Sequence, residues 1–579
     1  MANFDVQTKK RLDKRLAVSP EGKEFIIDVA GAQVTPRVEP ATSLSNSTIN
    51  FNITPNSPTS VLDRSVIVAT KVKFVFTGTQ VGGSGNVIQP EQSAPRGFNY
   101  GVQSSTVTIN GLSISQETQA IMHALSHFSE DDHMVHKQTI SPSWMAADYV
   151  QRYLDVSQGT NMNTLSNYKN STRARFGKGT YDYTVNSIGA TAANVDVTFY
   201  EYLTLSPMNY NGNEMPGLTN VTSLQLTFTL ANLERMWAQA NDNITSLQVS
   251  ILESNCHFQE LSFPVYLNVP PVVTTSYTDI QRQTSSRNQL IAAGASAQLS
   301  SNSYQLNTVP HSIIVYAKER ESDIYADASS KTNKTDSYGV IEKLEIQYNN
   351  QSAILSSASQ VQLFQMSARN GVDLSWQEFQ GSTKELSGTA GTGPTNIPLC
   401  GSIVALSFGK DISANDPTAI PGTSINSNFQ VRATVKNPNN TGIDIYYDLT
   451  VLYVYEGILS VAPGQAYKYI SLLTRDETLS LEVEEGDEVS GGAVDFKGML
   501  AKAKTGLKKA VPYLKPLASA ALDVGADLAT PFVPSAPHLR GEVKKLTGFG
   551  LQSQGAGIMA GGVSGGQLQP KSSMSLRAV

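Results

Sequence analysis

Apolar residues stand at every second position through most of the first 460 residues, and that period of two restricts the fold more than any other feature of the chain. Leu224, Leu226, Phe228 and Leu230 alternate with Gln225, Thr227 and Thr229. The same pattern runs through Leu247, Val249 and Ile251, through Val195, Val197 and Phe199, and through Phe429, Val431, Ala433 and Val435. It is longest from Ile443 to Tyr455, where every odd position is apolar. Successive side chains of a strand point to opposite faces, so each segment predicts a strand with one face in a core and the other wet. Between them lie stretches rich in Gly, Ser, Asn and Pro, notably 77–104, 155–192, 370–398 and 408–426. Many strands with long excursions at their ends predict β-sandwiches of the jelly-roll kind.

Two segments read as helices inside this body. Ile121, Ala124, Leu125 and Phe128 recur at helical spacing within 116–128, and Val361, Phe364 and Ala368 do so after Ser356. Each follows the same local order. Strand Thr106–Ile109 ends in Asn110-Gly111, then Leu-Ser-Ile-Ser, then the helix; strand Leu344–Tyr348 ends in Asn349-Asn350, then Gln-Ser-Ala-Ile, then the helix. The copies are offset by about 239 residues, and duplication of one fold explains this economically. The seam is expected near Leu267–Val272, where adjacent prolines interrupt the strand pattern.

Composition narrows the class. Charged residues make up 16% of the 579, against about 25% in ordinary soluble domains. Cys256 and Cys400 are the only cysteines, which excludes a disulfide framework and a cysteine zinc site. The opening residues MANFDVQTKKRLDKRL carry charge without an apolar stretch and do not read as a secretory signal; no run of 18 apolar residues occurs. Charge is unevenly placed. Residues 493–579 hold eleven basic and four acidic side chains, a net of +7, which leaves −13 on residues 1–492. An acidic stretch, 475–488, precedes the switch, and the segment Phe496–Leu517 reads as a basic amphipathic helix limited by Pro512 and Pro516. Such a helix suits an anionic membrane surface, nucleic acid or an acidic groove. Lys9, Lys10, Arg11, Lys14 and Arg15 form a second basic cluster, either a phosphate-binding arm or a charged surface turn.

Catalytic chemistry finds little support. His123, His127, His133 and His136 cluster with Glu130, Asp131 and Asp132, and the first two stand four apart, a spacing metals use. Ala124 occupies the place of the glutamate in HExxH, so the cluster reads rather as a polar helix flank at a subunit contact. Gly562-Val-Ser-Gly-Gly566 spells a nucleophile-elbow pattern in a Gly-rich tail that offers it neither strand nor helix. No phosphate-binding glycine loop, clustered carboxylate pair or triad signature appears, and no cofactor or metal is expected.

The order of several short motifs resembles double jelly-roll major capsid proteins of small double-stranded DNA viruses, of the virophage and polinton-like virus kind. The motifs are Val61-Leu-Asp-Arg64, Ile109-Asn-Gly111 leading to His123–Ser126, Gly217–Leu224 running toward Arg235-Met-Trp237, and Val309-Pro310 before Ile313–Tyr316. The resemblance spans most of 25–465. It implies an all-β fold of two tandem jelly rolls, a homotrimer of hexagonal outline, and an icosahedral virion shell with penton and minor capsid proteins as neighbours. The expected division is an N-terminal arm 1–24, rolls 25–270 and 271–465, an acidic linker 466–492 and a basic tail 493–579. Some viruses of this lineage process their capsid precursors with a cysteine protease that cuts at Gly-rich sites. Met559-Ala-Gly-Gly562, Leu546-Thr-Gly-Phe549 and Val489-Ser-Gly-Gly492 resemble such sites, which marks Gly562, Phe549 and Gly492 as candidate cleavage positions and the tail as an internal scaffold touching genome or internal membrane. The competing reading is a β-sandwich surface adhesin or carbohydrate-binding protein, which calls for a secretion signal.

Overall fold

A computed structural model describes residues 34–471, apart from 129–181 and shorter stretches at 58–59, 81–84, 89–92, 126, 204, 209–216, 240–242, 263–271, 335–337, 350, 386–394, 399–400, 413–419 and 439–443, together with the pairs 17–18 and 25–26. These all belong to the first of two compact units, Met1–Glu488; the second, Val489–Val579, lies outside the described residues. So do Leu267–Pro271 at the expected seam.

The principal strands among the described residues fall into two sets of eight. The first set is β1 (Val34–Pro40), β2 (Thr48–Ile53), β3 (Ile67–Gly78), β4 (Val102–Ile109), β5 (Leu112–Gln116), β6 (Ala192–Tyr202), β7 (Leu224–Leu230) and β8 (Ile244–Ser262). The second is β9 (Val273–Ile291), β10 (Ser296–Ser300), β11 (Ser312–Glu319), β12 (Val340–Tyr348), β13 (Gln351–Ile354), β14 (Val404–Ser407), β15 (Ser424–Lys436) and β16 (Ile445–Ala462). One sheet of the first set runs β1-β8-β3-β6 and the other β2-β7-β4-β5. The second set gives β9-β16-β11-β14 and β10-β15-β12-β13. Adding eight to each number of the first roll yields the second. Every pairing is antiparallel, and strands distant in sequence are neighbours in space, which is the wiring of a jelly roll.

The alternating residues become the two cores. In the first roll Phe51, Phe74, Phe76, Phe199 and Phe228 face one another across the sandwich, with Trp237 centred 5.3 Å from Phe74 and 4.8 Å from Phe76. In the second, Phe429 meets Tyr453 at 5.6 Å and Phe408 at 5.9 Å. Pairs of this geometry add about 1 kcal/mol each beyond the area they bury. The repeated strand–turn–helix order lies at matching places, β4–β5 and β12–β13. Asn110 and Gly111 take positive φ (46° and 86°) in the first tight turn, and Asn349 does so in the second (53°).

Several expectations need correction. The first helix, α1 (Thr118–Leu125), starts after Gln116, which belongs to β5, and ends before His127. Helices beyond the two expected ones are present among the described residues: α2 (Ala328–Asn333), and α4 (Trp376–Phe379) following α3 (Gln360–Arg369), besides the single turn Glu321–Ile324. Their caps explain them. Asp327 accepts from the Ser330 N–H, and Ser359 and Ser375 close capping boxes with Gln362 and Glu378. The long excursions are not bare loops either, since strands Asp182–Ile188, Ser382–Glu385 and Thr395–Pro398 lie within them. Gln465–Tyr469 turns back on β16, so the sheet continues past residue 465.

Candidate functional site at the junction of the two sandwiches

Strands β11 and β16 depart from alternation because both their faces are covered. Ile313, Val315 and Ala317 point into the second core, while Ile314, Tyr316 and Lys318 point outward and are buried nonetheless. On β16 the outward Asp448, Thr450 and Leu452 are buried in the same way. The cover comes from the first roll. Ile121 and Ala124 of α1 join the second core, and the Tyr316 hydroxyl donates to the Ala120 carbonyl at 3.2 Å. Arg282 on β9 forks across the edge, with Nε 2.5 Å from Glu117 and Nη1 2.8 Å from Glu321. Exchange runs both ways, for Tyr277, Leu459 and Val461 of the second roll sit in the first core.

A small polar pocket remains under α1, between Lys318, Asp448, Thr284 and Thr450. Burial pushes the Asp448 carboxyl above its ordinary range; the Ser286 hydrogen bond and Arg320 oppose that shift, and Glu321 and Asp323 add to it.

Three buried arginines and an asparagine fasten the junction elsewhere. Arg96 and Arg235 lie almost wholly inside the protein and converge on the end of α2. Arg235 Nη1 donates to the carbonyls of Lys331 (3.1 Å) and Lys334 (2.6 Å), and Arg96 Nη2 to those of Thr332 (3.0 Å) and Lys334 (2.6 Å). The last carbonyls of a helix lack intrahelical partners and carry partial negative charge, so two guanidinium groups there satisfy hydrogen bonds and the helix dipole together. Lys331 adds an ion pair to Glu234 at 3.2 Å. Arg64 donates from Nε to the Pro207 carbonyl (2.5 Å) and from Nη1 to Thr275 Oγ1 (3.0 Å) at the start of β9. Burial lowers its guanidinium to about 10, with Asp63 acting the other way. Asn110 Nδ2 donates to the carbonyls of Asn220 and, across the junction, Ala462, both at 2.9 Å, while its Oδ1 accepts from the Thr222 N–H at 2.8 Å.

Arg64, Asn110 and Arg235 are residues of the motifs singled out in the sequence, and each crosses from one roll to the other. Arg96, Arg282 and Asp448 carried no such mark. The one signal for α2 was Asp327 as a capping residue, since Ala328–Asn333 has no apolar period.

Of the histidine cluster only His123 and His127 fall among the described residues. His127 lies in the turn beyond α1, buried, with its carbonyl accepting from the Asp373 N–H at 2.7 Å, so the helical spacing with His123 is not realised. His133 and His136 lie outside the described residues, as do Gly492, Phe549, Gly562, the 496–517 segment and the basic cluster at 9–15. Among the described residues no group of three His, Cys, Asp or Glu side chains is placed to hold a metal, and no helix is long and apolar enough to cross a membrane. What this geometry does is fasten: side chains of each sandwich are tied to the backbone or side chains of the other.

Comparison with known proteins follows the same division. A family model described as the Sputnik virophage major capsid protein 1st domain matches residues 5–267, and one described as the major capsid protein V20 C-terminal domain matches 280–457. The putative capsid protein V20 of Sputnik virophage is 29% identical over 578 residues, covering 95% of each chain. Among solved structures, a cryo-EM structure of the Sputnik virophage superposes with a TM-score of 0.73 at 27% identity, over 84% of this chain and 98% of that one. The mavirus major capsid protein matches at 0.61 and 15% identity, over 84% and 97%, a likeness of fold.

Proposed function

This chain belongs to the virophage major capsid protein family, and from that membership we infer that it is the protein that builds a virion shell, assembling with copies of itself as trimeric capsomers of an icosahedral capsid. The observation that carries the reading is the match of two capsid-domain models, in order, to the two halves of one duplicated fold. It is a structural protein and not an enzyme. The junction supports the same role, because a shell subunit has to hold its two sandwiches in one fixed relation while neighbours press on both.

The two rolls on this reading are residues 25–270 and a second that starts at 271 and runs past 465 to Tyr469, flanked by an arm at 1–24, an acidic linker up to 492 and a tail at 493–579. Penton and minor capsid proteins border the capsomers. The +7 tail meets the genome or an internal membrane during assembly, and a viral cysteine protease cuts it at Gly492, Phe549 or Gly562. One experiment tests the capsid reading. Purified full-length protein should give three-chain particles by mass photometry and closed shells in electron micrographs. A protein that stays monomeric at every concentration and ionic strength, and binds glycans, would overturn the capsid reading. Deleting 493–579 should leave trimers intact and change the yield or size uniformity of shells.

A further inference from the structure

The polar pocket under α1 holds more carboxylates than cations. Glu319, Glu321 and Asp448 line it against Lys318 and Arg282, and helix α1 faces it with the uncharged Ala120. Ion pairs with groups outside the pocket do not restore the balance. Glu319 gains Lys334 at 2.6 Å, but Arg282 is divided between Glu321 and Glu117. Each sign thus gains one partner, and one negative charge is left over. Arg320 does not supply the missing cation. It holds both oxygens of Asp323, at 2.8 and 3.1 Å, bonds Asn288 and lies over the Tyr446 ring. A surplus charge is costliest where water is least. The side chains of Glu117 and Glu321 reach water, being 56% and 43% exposed, and Glu319 has its own ammonium. Asp448 lies deepest, 9% exposed, opposite Lys318 on the neighbouring strand and bonded to Ser286 on β9. It is the group where a proton relieves most.

We propose that Asp448 is a proton-operated latch between the two rolls: α1 seats on β11 and β16 with this carboxyl protonated, and loosens when the proton leaves. Closing the junction then takes up one proton. The contribution of such a group is complete below the open-chain aspartate value of about 3.9, and is lost as pH rises through the higher value of the closed form. Helix α1 is the element affected, because it roofs the pocket through Ala120, whose carbonyl accepts from the Tyr316 hydroxyl, and because Ile121 and Ala124 beside it are buried in the second core. In a shell built from this chain, the subunits are stiffest in acid and give way as pH rises, a consequence that rests on the capsid reading above.

Hydrogen exchange of the full chain across a series of pH values tests the latch, with the intrinsic pH dependence of exchange divided out. Above the closed-form value, protection of α1, β11 and the first half of β16 should fall by up to about tenfold per pH unit, the slope of one linked proton. Strand β7, inside the first core, should keep its protection. Asp448→Asn preserves the shape without a titrating proton; it should abolish the slope and leave α1 protected at the highest pH. Glu321→Gln removes the surplus charge at a partly exposed position, and should move the onset of the fall to lower pH and reduce its extent. Ile121→Ala should lower the protection of α1 at every pH and keep the slope, which separates lost packing from a lost proton. Wild-type protection that does not change with pH overturns the latch, as does a slope that survives Asp448→Asn or an onset that Glu321→Gln leaves in place. All of these are read on the chain itself, so failure of the latch leaves the capsid reading standing, and failure to form shells leaves the latch standing.

Discussion

Arg235 shows how much one side chain can fasten. It is 1% exposed, and a charge buried this far costs several kcal/mol unless its donors are satisfied. Removing it leaves the carbonyls of Lys331 and Lys334 to Arg96 alone, the first through a long contact of 3.4 Å. Arg235→Ala should therefore lower unfolding stability by about 3 kcal/mol, read by chemical denaturation. Arg235→Lys should recover only part of that, because a single ammonium lacks the planar fork. Two carboxylates give pH effects of opposite sign. Asp448 is raised chiefly by burial, so its ionised form costs the folded state, and stability falls as pH rises through its folded value. Asp448→Asn should unfold at a higher temperature than wild type at pH 7, with the gain vanishing as pH approaches the unfolded aspartate value of about 3.9. Burial also pushes Glu260 upward, but hydrogen bonds from Ser60, Arg37 (2.9 Å) and the Asn56 N–H (2.8 Å) outweigh it and hold it low. Its contribution is present above the unfolded value of about 4.3 and is lost as pH falls through the folded one. Glu260→Gln should be destabilising at pH 7 and neutral in strong acid. Thermal melts across pH that showed the same sign for both variants would contradict these assignments.

At the scale of elements, legibility followed burial on one face. Strands such as β7 and β15, wet on one side, read directly from period two, and the repeated Asn turns located β4–β5 and β12–β13. Strand β11 did not read that way, because Ile313-Ile-Val-Tyr316 is apolar without interruption. A continuous run of this kind belongs to a strand covered on both faces, and the cover, α1, lies some 190 residues earlier in the chain. Helix α2 was invisible for the converse reason: six residues, all polar but Ala328, held by arginines from another roll have no periodicity of their own. The reach of α1 across the junction gives a prediction. Ile121→Ala should cost about 2–4 kcal/mol, as large-to-small changes in a packed core do. Hydrogen exchange should then rise in β11 and β16, rather than only in the first roll. Ser359→Ala, which opens the capping box of α3, should cost about 1 kcal/mol and leave the junction untouched.

The described residues form two jelly rolls that do not divide cleanly at the segment between them. The first core borrows Tyr277, Leu459 and Val461, and the second borrows Ile121 and Ala124. A cut through 263–271 would strip each sandwich of residues the other supplies. The second half alone would also bare Ile314, Tyr316 and Leu452, adjacent on one sheet face, as a contiguous apolar patch of the sort that drives association. Residues 272–471 expressed by themselves should accordingly aggregate or bind a hydrophobic dye, and co-expression with residues 1–262 should restore a soluble complex. In the intact chain the same coupling should appear as one unfolding transition, followed alike by Trp237 fluorescence in the first roll and by hydrogen exchange in β15 of the second. Two well-separated transitions, or a soluble and cooperatively folded second half, would show that the junction is a docking contact between independent domains and that the exchanged residues contribute little.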